Sequence, residues 1–164
     1  MDLFLVRHGI AIDRQDPNCP PEEERYLTPE GMDKTRKAAR GLKALKVQVE
    51  VMLSSPLRRA VETAEIFAKV LEFPRDQIRL TDALRYETSP REIFKEIKAL
   101  KAQSVMCFGH APQLDEVLAH AVGCPREITA LKKAGVACLE LEVVEPPRGQ
   151  ILWVLSPKIM SMMK

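Results

Sequence analysis

The sequence predicts an α/β fold, a three-layer α/β/α sandwich in which helices cover both faces of a mostly parallel sheet. The main observation is an alternation along the chain. Short apolar runs of strand length are followed by longer segments in which apolar residues recur every three or four positions. This alternation is typical of a parallel sheet, because each helical crossover packs its apolar stripe onto the sheet. The length of 164 residues, uninterrupted by linkers or repeats, predicts a single domain over 1–164.

The first strand and the first helix have distinct signals. Residues 2–6 form an apolar run that is too short for a helix and is therefore predicted to be a buried strand. Residues 10–26 are polar and contain three prolines, which predicts a long loop whose acidic run, 22–24, is solvated surface. Thr28 then provides an N-cap and Pro29 a first helical residue, so a helix is expected to begin there and to run to about residue 45.

A second strand and two further helices are predicted in the middle of the chain. Apolar and polar residues alternate over 49–53, as expected for a strand that ends at a tight turn. Ser55 is predicted to cap the next helix, with Pro56 as its first residue. Residues 78–80 predict a third strand, and 89–92 have the capping-box pattern that precedes a helix.

The last third of the chain continues the pattern and ends in a strand pair. Residues 104–108 form an apolar run that predicts a strand, and Pro112 opens an amphipathic helix. Residues 136–144 and 151–155 have the composition of strands, and Gly149 marks the turn between them.

Composition narrows the classes of partner and compartment. The net charge of +2 is too small to attract nucleic acid without a local basic patch. No apolar run approaches the roughly 20 residues that span a bilayer, and the N-terminus lacks the pattern of a secretory signal. We therefore expect a cytoplasmic protein that binds neither nucleic acid nor membrane. The four cysteines lack any spacing typical of a zinc site, so we expect no metal and no cofactor.

Basic side chains follow three of the predicted strands. Arg7-His8-Gly9 follows the first, Arg58-Arg59 lies just after the second, and Gly109-His110 follows a later one. Ligands of open α/β sheets bind beyond the carboxyl ends of the strands. A lone histidine at a strand end is more often a hydrogen-bonded loop residue. Two imidazoles and two guanidiniums together repel one another unless an anion joins them, and guanidinium forks match phosphoryl oxygens. The pattern therefore indicates a phosphate pocket.

Two histidines beside arginines are suited to phosphoryl transfer. A neutral imidazole nitrogen can attack phosphorus and form a phosphorylated histidine, which divides one displacement into two steps. A second histidine beside the arginines would stabilise the charge on the equatorial oxygens. The third histidine, His120, falls inside a predicted helix and is assigned no role in this chemistry.

These residues resemble the histidine phosphatase superfamily, also called phosphoglycerate mutase-like. Its R-H-G triplet is Arg7-His8-Gly9 here, its S-P-L-x-R-A-x-x-T-A pattern occupies 55–64, and its G-H element is Gly109-His110. The segments 27–31 and 155–157, together with the short length, resemble the SixA-type phosphohistidine phosphatases.

The resemblance implies a role for each matching residue. It makes His8 the nucleophile and places Arg7, Arg59 and His110 around the phosphate as catalytic and phosphate-binding residues. Arg58 occupies a variable position of the motif. The implied reaction is the metal-independent hydrolysis of phosphohistidine on a signalling protein, such as a histidine-containing phosphotransfer domain, through a covalent phosphohistidine on His8.

The general acid is the main departure from the family pattern. Many members carry a glutamate as L-R-E after the middle strand, whereas residues 84–87 here read Leu-Arg-Tyr-Glu. Glu87 is therefore displaced by one position, and it is either the acid, a residue of the pocket rim or an ordinary loop carboxylate. Two other functions stay open: a small-molecule phosphomonoesterase that uses Glu87 as proton donor, and a phosphate-binding adaptor without turnover. Whether Arg25 reaches the pocket is also open.

Overall fold

Six strands form one sheet in the computed structural model, which describes residues 1–164. The strands are β1 (Asp2–Arg7), β2 (Val51–Ser54), β3 (Arg79–Leu80), β4 (Ser104–Gly109), β5 (Val136–Val143) and β6 (Arg148–Leu155). Their order across the sheet is β3-β2-β4-β1-β5-β6. Strands β1 to β4 run parallel, whereas β5 is antiparallel to β1 and β6 is antiparallel to β5. The predicted mostly parallel sheet is confirmed.

Helices cover both faces of this sheet, as the sequence predicted. The helices are α1 (Pro29–Ala44), α2 (Arg58–Leu71), α3 (Glu92–Leu100), α4 (Gln113–Ala121) and α5 (Pro157–Met160). Three short 3-10 helices lie at Glu22–Glu24, Arg75–Gln77 and Asp82–Leu84. The apolar sides of α1, α2 and α5 pack into the core on one face, and those of α3 and α4 pack into the core on the other. None of the helices has the length and apolar character needed to cross a membrane.

The central strands are buried on both faces, which explains their continuous apolar runs. In β1, Leu3 and Leu5 belong to the core beneath α3 and α4, whereas Phe4 and Val6 belong to the core beneath α1 and α2. Phe108 of β4 packs edge-on against Phe67 of α2, with ring centroids 5.4 Å apart. Their packing fixes α2, and hence its N-terminal residues, relative to the carboxyl end of β4.

The N-terminus of α1 agrees with its sequence signal. Thr28 Oγ1 accepts a hydrogen bond from the Gly31 N–H at 3.0 Å, and Pro29 is the first helical residue. A Cβ at Gly31 would collide with the carbonyl oxygen of Ile10. Glycine is therefore required here for α1 to approach the loop that follows β1.

The start of α2 differs from the prediction. The helix begins at Arg58, and no side chain caps it. Ser55 Oγ accepts a hydrogen bond from the Leu57 N–H at 3.3 Å and also lies 2.8 Å from Nε2 of His110. The capping prediction for Ser55 was wrong because this side chain turns towards a distant histidine.

Candidate active site

Three adjacent strands bring the basic residues of the sequence motifs to one edge of the sheet. The His8 N–H, just beyond β1, donates to the Gly109 carbonyl at the end of β4 at 2.9 Å. The Ser55 N–H, just beyond β2, donates to the Phe108 carbonyl at 2.9 Å. These backbone hydrogen bonds hold the carboxyl ends of β1, β2 and β4 side by side, so the residues that follow the three strands lie close together.

A cavity of about 510 Å³ opens at this edge. It is lined by Arg7, His8, Arg14, Glu22, Arg25, Arg59, Tyr86, His110, Ala111, Pro112 and Lys133. All four residues predicted for the site are in this set. His8, Arg59 and His110 are only 8%, 2% and 2% exposed, so they form the floor of the cavity. Five cationic side chains and a single carboxylate line it, which suits an anionic ligand.

The backbone fixes the tautomer of His8. Its Nδ1 lies 2.7 Å from the Gly9 carbonyl oxygen. Because a carbonyl only accepts hydrogen bonds, Nδ1 carries the hydrogen and Nε2 keeps its lone pair. Burial lowers the pKa of His8 to about 3, and the nearby His110 and Arg59 act in the same direction. His8 is therefore neutral at physiological pH and presents a nucleophilic nitrogen.

Helix α2 supports the backbone that holds His8. The Gly9 N–H donates to Thr63 Oγ1 at 3.0 Å, and the Thr63 hydroxyl donates to the Arg59 carbonyl at 2.7 Å. On the other side, a Cβ at Gly9 would collide with Thr35 Oγ1 of α1, so the approach of α1 to this residue also requires glycine. The threonine of the S-P-L-x-R-A-x-x-T-A pattern thus connects the first turn of α2 to the residue after the nucleophile.

His110 lies beside His8, with ring centroids 5.2 Å apart. Its Nε2 contacts the Ser55 hydroxyl, which has no other acceptor and therefore donates to it. The ring hydrogen is then on Nδ1, which is buried and has no partner. Burial lowers the pKa of His110 to about 3, with a further contribution from the Arg59 guanidinium. The ring is therefore a neutral donor.

Arg7 and Arg59 are held in place by hydrogen bonds from their terminal guanidinium nitrogens. Arg7 Nη1 donates to the Leu131 carbonyl at 2.8 Å, while Arg59 Nη1 and Nη2 donate to the backbone oxygen and carboxylate of Glu22 at 2.9 and 3.0 Å. The Nε atoms of both arginines are buried without a partner. Burial lowers the pKa of both guanidiniums below its ordinary value. Both arginines therefore carry an unpaired buried donor within the lining of the cavity.

Glu22 is a cavity residue that the sequence analysis missed. Its carboxylate accepts hydrogen bonds from Arg14, Arg25 and Arg59 at 2.7 to 3.2 Å. The bond from Arg14 is the largest cause that lowers the pKa of Glu22 to about 2, and the charges of Arg59 and Arg25 add to it. The prediction that this acidic run is solvated surface was wrong for Glu22, because ion pairing to a buried guanidinium carries no periodic signal.

Arg25 and Arg58 differ in their relation to the cavity. Arg25 lines it and is buried, with Nε and Nη2 donating to the Ile12 carbonyl at 3.0 and 2.9 Å. Arg58 lies outside it, over the ring of Tyr26 and paired with Glu62 at 2.7 Å. The preference for Arg59 over Arg58 as a pocket residue therefore agrees with the geometry.

The carboxylate of Glu87 does not line the cavity. Glu87 is exposed and accepts a hydrogen bond from Arg85 at 3.0 Å, which lowers its pKa. Tyr86 lines the cavity instead, with its ring edge-on to His110 at 5.7 Å. The chain also has no group of three or more His, Cys, Asp or Glu side chains placed to hold a metal ion.

The fold and the cavity define a class of protein: an α/β sandwich with a His–Arg anion pocket beyond the carboxyl ends of its parallel strands. The family model of the histidine phosphatase superfamily (branch 1) matches residues 3–86, about half of the chain. The chain belongs to the histidine phosphatase superfamily.

Individual relatives cover nearly the whole chain. Phosphohistidine phosphatase SixA of Escherichia coli is 29% identical over 169 residues, which covers 100% of this chain and 99% of SixA. An uncharacterised protein of Picosynechococcus is 36% identical over 138 residues, 83% of this chain and 82% of that protein.

Solved structures agree with this assignment. The protein histidine phosphatase SixA complexed with tungstate superposes with a TM-score of 0.85 at 26% identity, and the match covers 96% of this chain and 98% of SixA. A mycobacterial glucosyl-3-phosphoglycerate phosphatase complexed with VO3 shares the fold, with a TM-score of 0.72 at 16% identity over 94% of this chain and 99% of that one. Together with the family assignment, the similarity to SixA supports a phosphatase, that is, a hydrolase.

Proposed function

We propose that this protein hydrolyses phosphohistidine on a signalling protein, such as a histidine-containing phosphotransfer domain, through a covalent phosphohistidine on His8 and without a metal ion. One observation carries the proposal. The only buried side-chain nitrogens without a hydrogen-bond partner are Arg7 Nε, Arg59 Nε and His110 Nδ1, and all three residues line the cavity that contains the neutral His8. Three unpaired donors beside a nucleophile match a phosphoryl group. The names of the SixA relatives support phosphohistidine as the substrate.

In the first step the lone pair of His8 Nε2 forms a bond to phosphorus while the P–N bond of the substrate breaks. The bonding electrons go to the substrate imidazole, whose other nitrogen is already protonated, so a neutral imidazole leaves. Arg7, Arg59 and His110 donate to the equatorial oxygens, where the charge of the transition state is spread. The Nδ1–H of phosphorylated His8 stays bonded to the Gly9 carbonyl, which stabilises the imidazolium.

In the second step a water molecule attacks the phosphorus of phosphorylated His8. The P–O bond forms as the P–N bond breaks, the electrons of the P–N bond return to Nε2, and the protons of the water leave with inorganic phosphate. A phosphoester would require a proton for its alkoxide in the first step. The only carboxyl group that lines the cavity belongs to Glu22, whose pKa of about 2 keeps it ionised. The cavity therefore offers no protonated carboxyl group as the acid, which favours a phosphoramidate substrate.

The experiment is a label-release assay. We expect that the protein converts the label of a phosphotransfer domain carrying radioactive phosphohistidine into inorganic phosphate, and that EDTA leaves the rate unchanged. His8→Ala abolishes both release and the acid-labile phosphoenzyme. His120→Ala is the matched control, because this third histidine lies on α4 outside the cavity, and it retains the wild-type rate.

Each alternative function gives a different result. An unchanged lifetime of the label at enzyme excess removes this substrate. A phosphate-binding adaptor would bind the phosphorylated domain without turnover, and its His8→Ala variant would still bind. A phosphomonoesterase with Glu87 as acid would lose its turnover of aryl phosphates sharply in Glu87→Gln, whereas our proposal expects little change because Glu87 does not line the cavity.

A further inference from the structure

We propose that Tyr86 determines leaving-group specificity: its ring contacts the imidazole of the substrate and selects planar aromatic phosphoramidates. This inference rests on the proposed function. The proposed function concerns the phosphoryl group, and this inference concerns the leaving group, which is the imidazole of the substrate histidine.

Tyr86 lies at the mouth of the cavity. Its side chain lines the cavity and Tyr86 is 45% exposed, whereas His8, Arg59 and His110 on the floor are buried. Its ring meets the ring of His110 at an interplanar angle of 85°, in edge-to-face contact. Apart from the two floor histidines, Tyr86 is the only aromatic residue that lines the cavity. A single tyrosine ring therefore lies next to the floor of the cavity, in contact with His110.

The direction of the reaction brings the leaving group towards this ring. In phosphoryl transfer the attacking and leaving atoms lie roughly in line on opposite sides of phosphorus. Because His8 attacks from the buried floor, the leaving nitrogen points towards the open mouth, where Tyr86 stands. The substrate ring then passes beside the phenol ring before it reaches solvent.

The chemistry of the mouth favours Tyr86 as the partner of that ring. When no acid assists the reaction, the imidazole of the phosphohistidine is protonated and cationic until the P–N bond breaks. Arg14 and Lys133, which also line the cavity, are cations and repel such a ring. The face of a tyrosine attracts a planar cation and stacks on aromatic groups. The one carboxylate of the cavity, Glu22, is already paired with three arginines, so Tyr86 is the cavity residue best suited to hold the leaving imidazole.

The loop that carries Tyr86 is fixed in place. Gln113 is fully buried, and its Nε2 donates to the carbonyls of Ala83 and Thr88, on either side of Tyr86, at 2.8 and 3.4 Å. Arg85 pairs with Glu23 and with Glu87 on the outer side of the loop. A ring held by its neighbours loses little conformational entropy when it binds a ligand.

The test uses two small probes that lose the same kind of bond. Phosphoramidate and N-phosphoimidazole both contain a P–N bond, but only the second has a ring. We expect that Tyr86→Leu lowers kcat/KM for N-phosphoimidazole about three- to tenfold more than it lowers kcat/KM for phosphoramidate, the size of one aromatic contact. Tyr86→Phe keeps the wild-type preference. Tyr26→Leu is the matched control, because Tyr26 lies under Arg58 and outside the cavity.

The outcomes separate this inference from the proposed function. An equal loss on both probes in Tyr86→Leu, or no loss on either, overturns the role of Tyr86 while the phosphatase proposal stands. Wild-type protein that hydrolyses neither probe overturns this inference, whereas the proposed function is overturned only if the phosphotransfer domain also keeps its label. A loss that is larger for the probe with the ring, and that Tyr86→Phe does not show, supports the inference.

Discussion

The two cavity histidines make the stability of the fold depend on pH in a calculable way. Burial lowers the pKa of His8 and of His110 from 6.5 to about 3. Between pH 6.5 and pH 3 the unfolded chain therefore binds more protons at these positions than the native protein does. The free energy of unfolding must then fall as the pH decreases through this window.

The magnitude follows from the two pKa values. For one histidine, the change from pH 7 to pH 5 costs about 2 kcal/mol of stability, so the pair costs about 4 kcal/mol. Stopping at pH 5 keeps Glu22 out of the measurement, because its carboxyl group remains mostly ionised there in both states. A loss of this size is a large fraction of the stability of a typical domain.

Urea denaturation at pH 7, 6 and 5 measures this dependence directly. Wild-type protein should lose about 4 kcal/mol over the series, and the double variant His8→Gln, His110→Gln should lose almost none. His120→Gln serves as the control and should keep the wild-type dependence. If the double variant loses as much stability as wild type, the two rings are not held neutral by burial and the nucleophile argument fails.

Two further substitutions test groups that support the site. Thr63→Val removes the hydroxyl that links Gly9 to α2, and we expect the rate of phosphate release to fall about tenfold or more. Thr63→Ser keeps the hydroxyl and should restore the rate. Equal rates in Thr63→Val and wild type would show that this link is dispensable. Glu22→Gln removes a negative charge from the lining of the cavity, so inorganic phosphate should inhibit about fivefold more strongly. This factor corresponds to about 1 kcal/mol, the repulsion between two like unit charges that neighbour one another in water. Glu23→Gln, on a carboxylate outside the cavity, should leave inhibition unchanged.

Local signals identified the elements and the floor of the cavity. The N-cap at Thr28 fixed the start of α1 correctly because Thr28 and Gly31 are neighbours in sequence. Arg7, His8 and His110 were found because each lies at or next to the end of a buried strand, and buried strands are visible as apolar runs. Parallel packing then brings those ends together without further information.

Contacts between residues that are far apart in the sequence carried no such signal. Glu22 is 37 positions from Arg59, and nothing local distinguishes it from the other glutamates of its run. Ser55 was misread as a cap because its partner, His110, is 55 positions away. Tyr86 reaches the cavity from a loop without periodicity. Contacts of this kind depend on tertiary packing, which a pattern of nearby residues does not encode.

The hydrogen bonds between Glu22 and Arg59 make the segment between β1 and α1 part of the active site. Both the backbone oxygen and the carboxylate of Glu22 anchor a guanidinium that belongs to α2, so this stretch is a permanent wall of the cavity. Shortening or lengthening it would displace a charge rather than merely trim a surface loop. Engineering that aims to widen access to the nucleophile should therefore leave these residues intact.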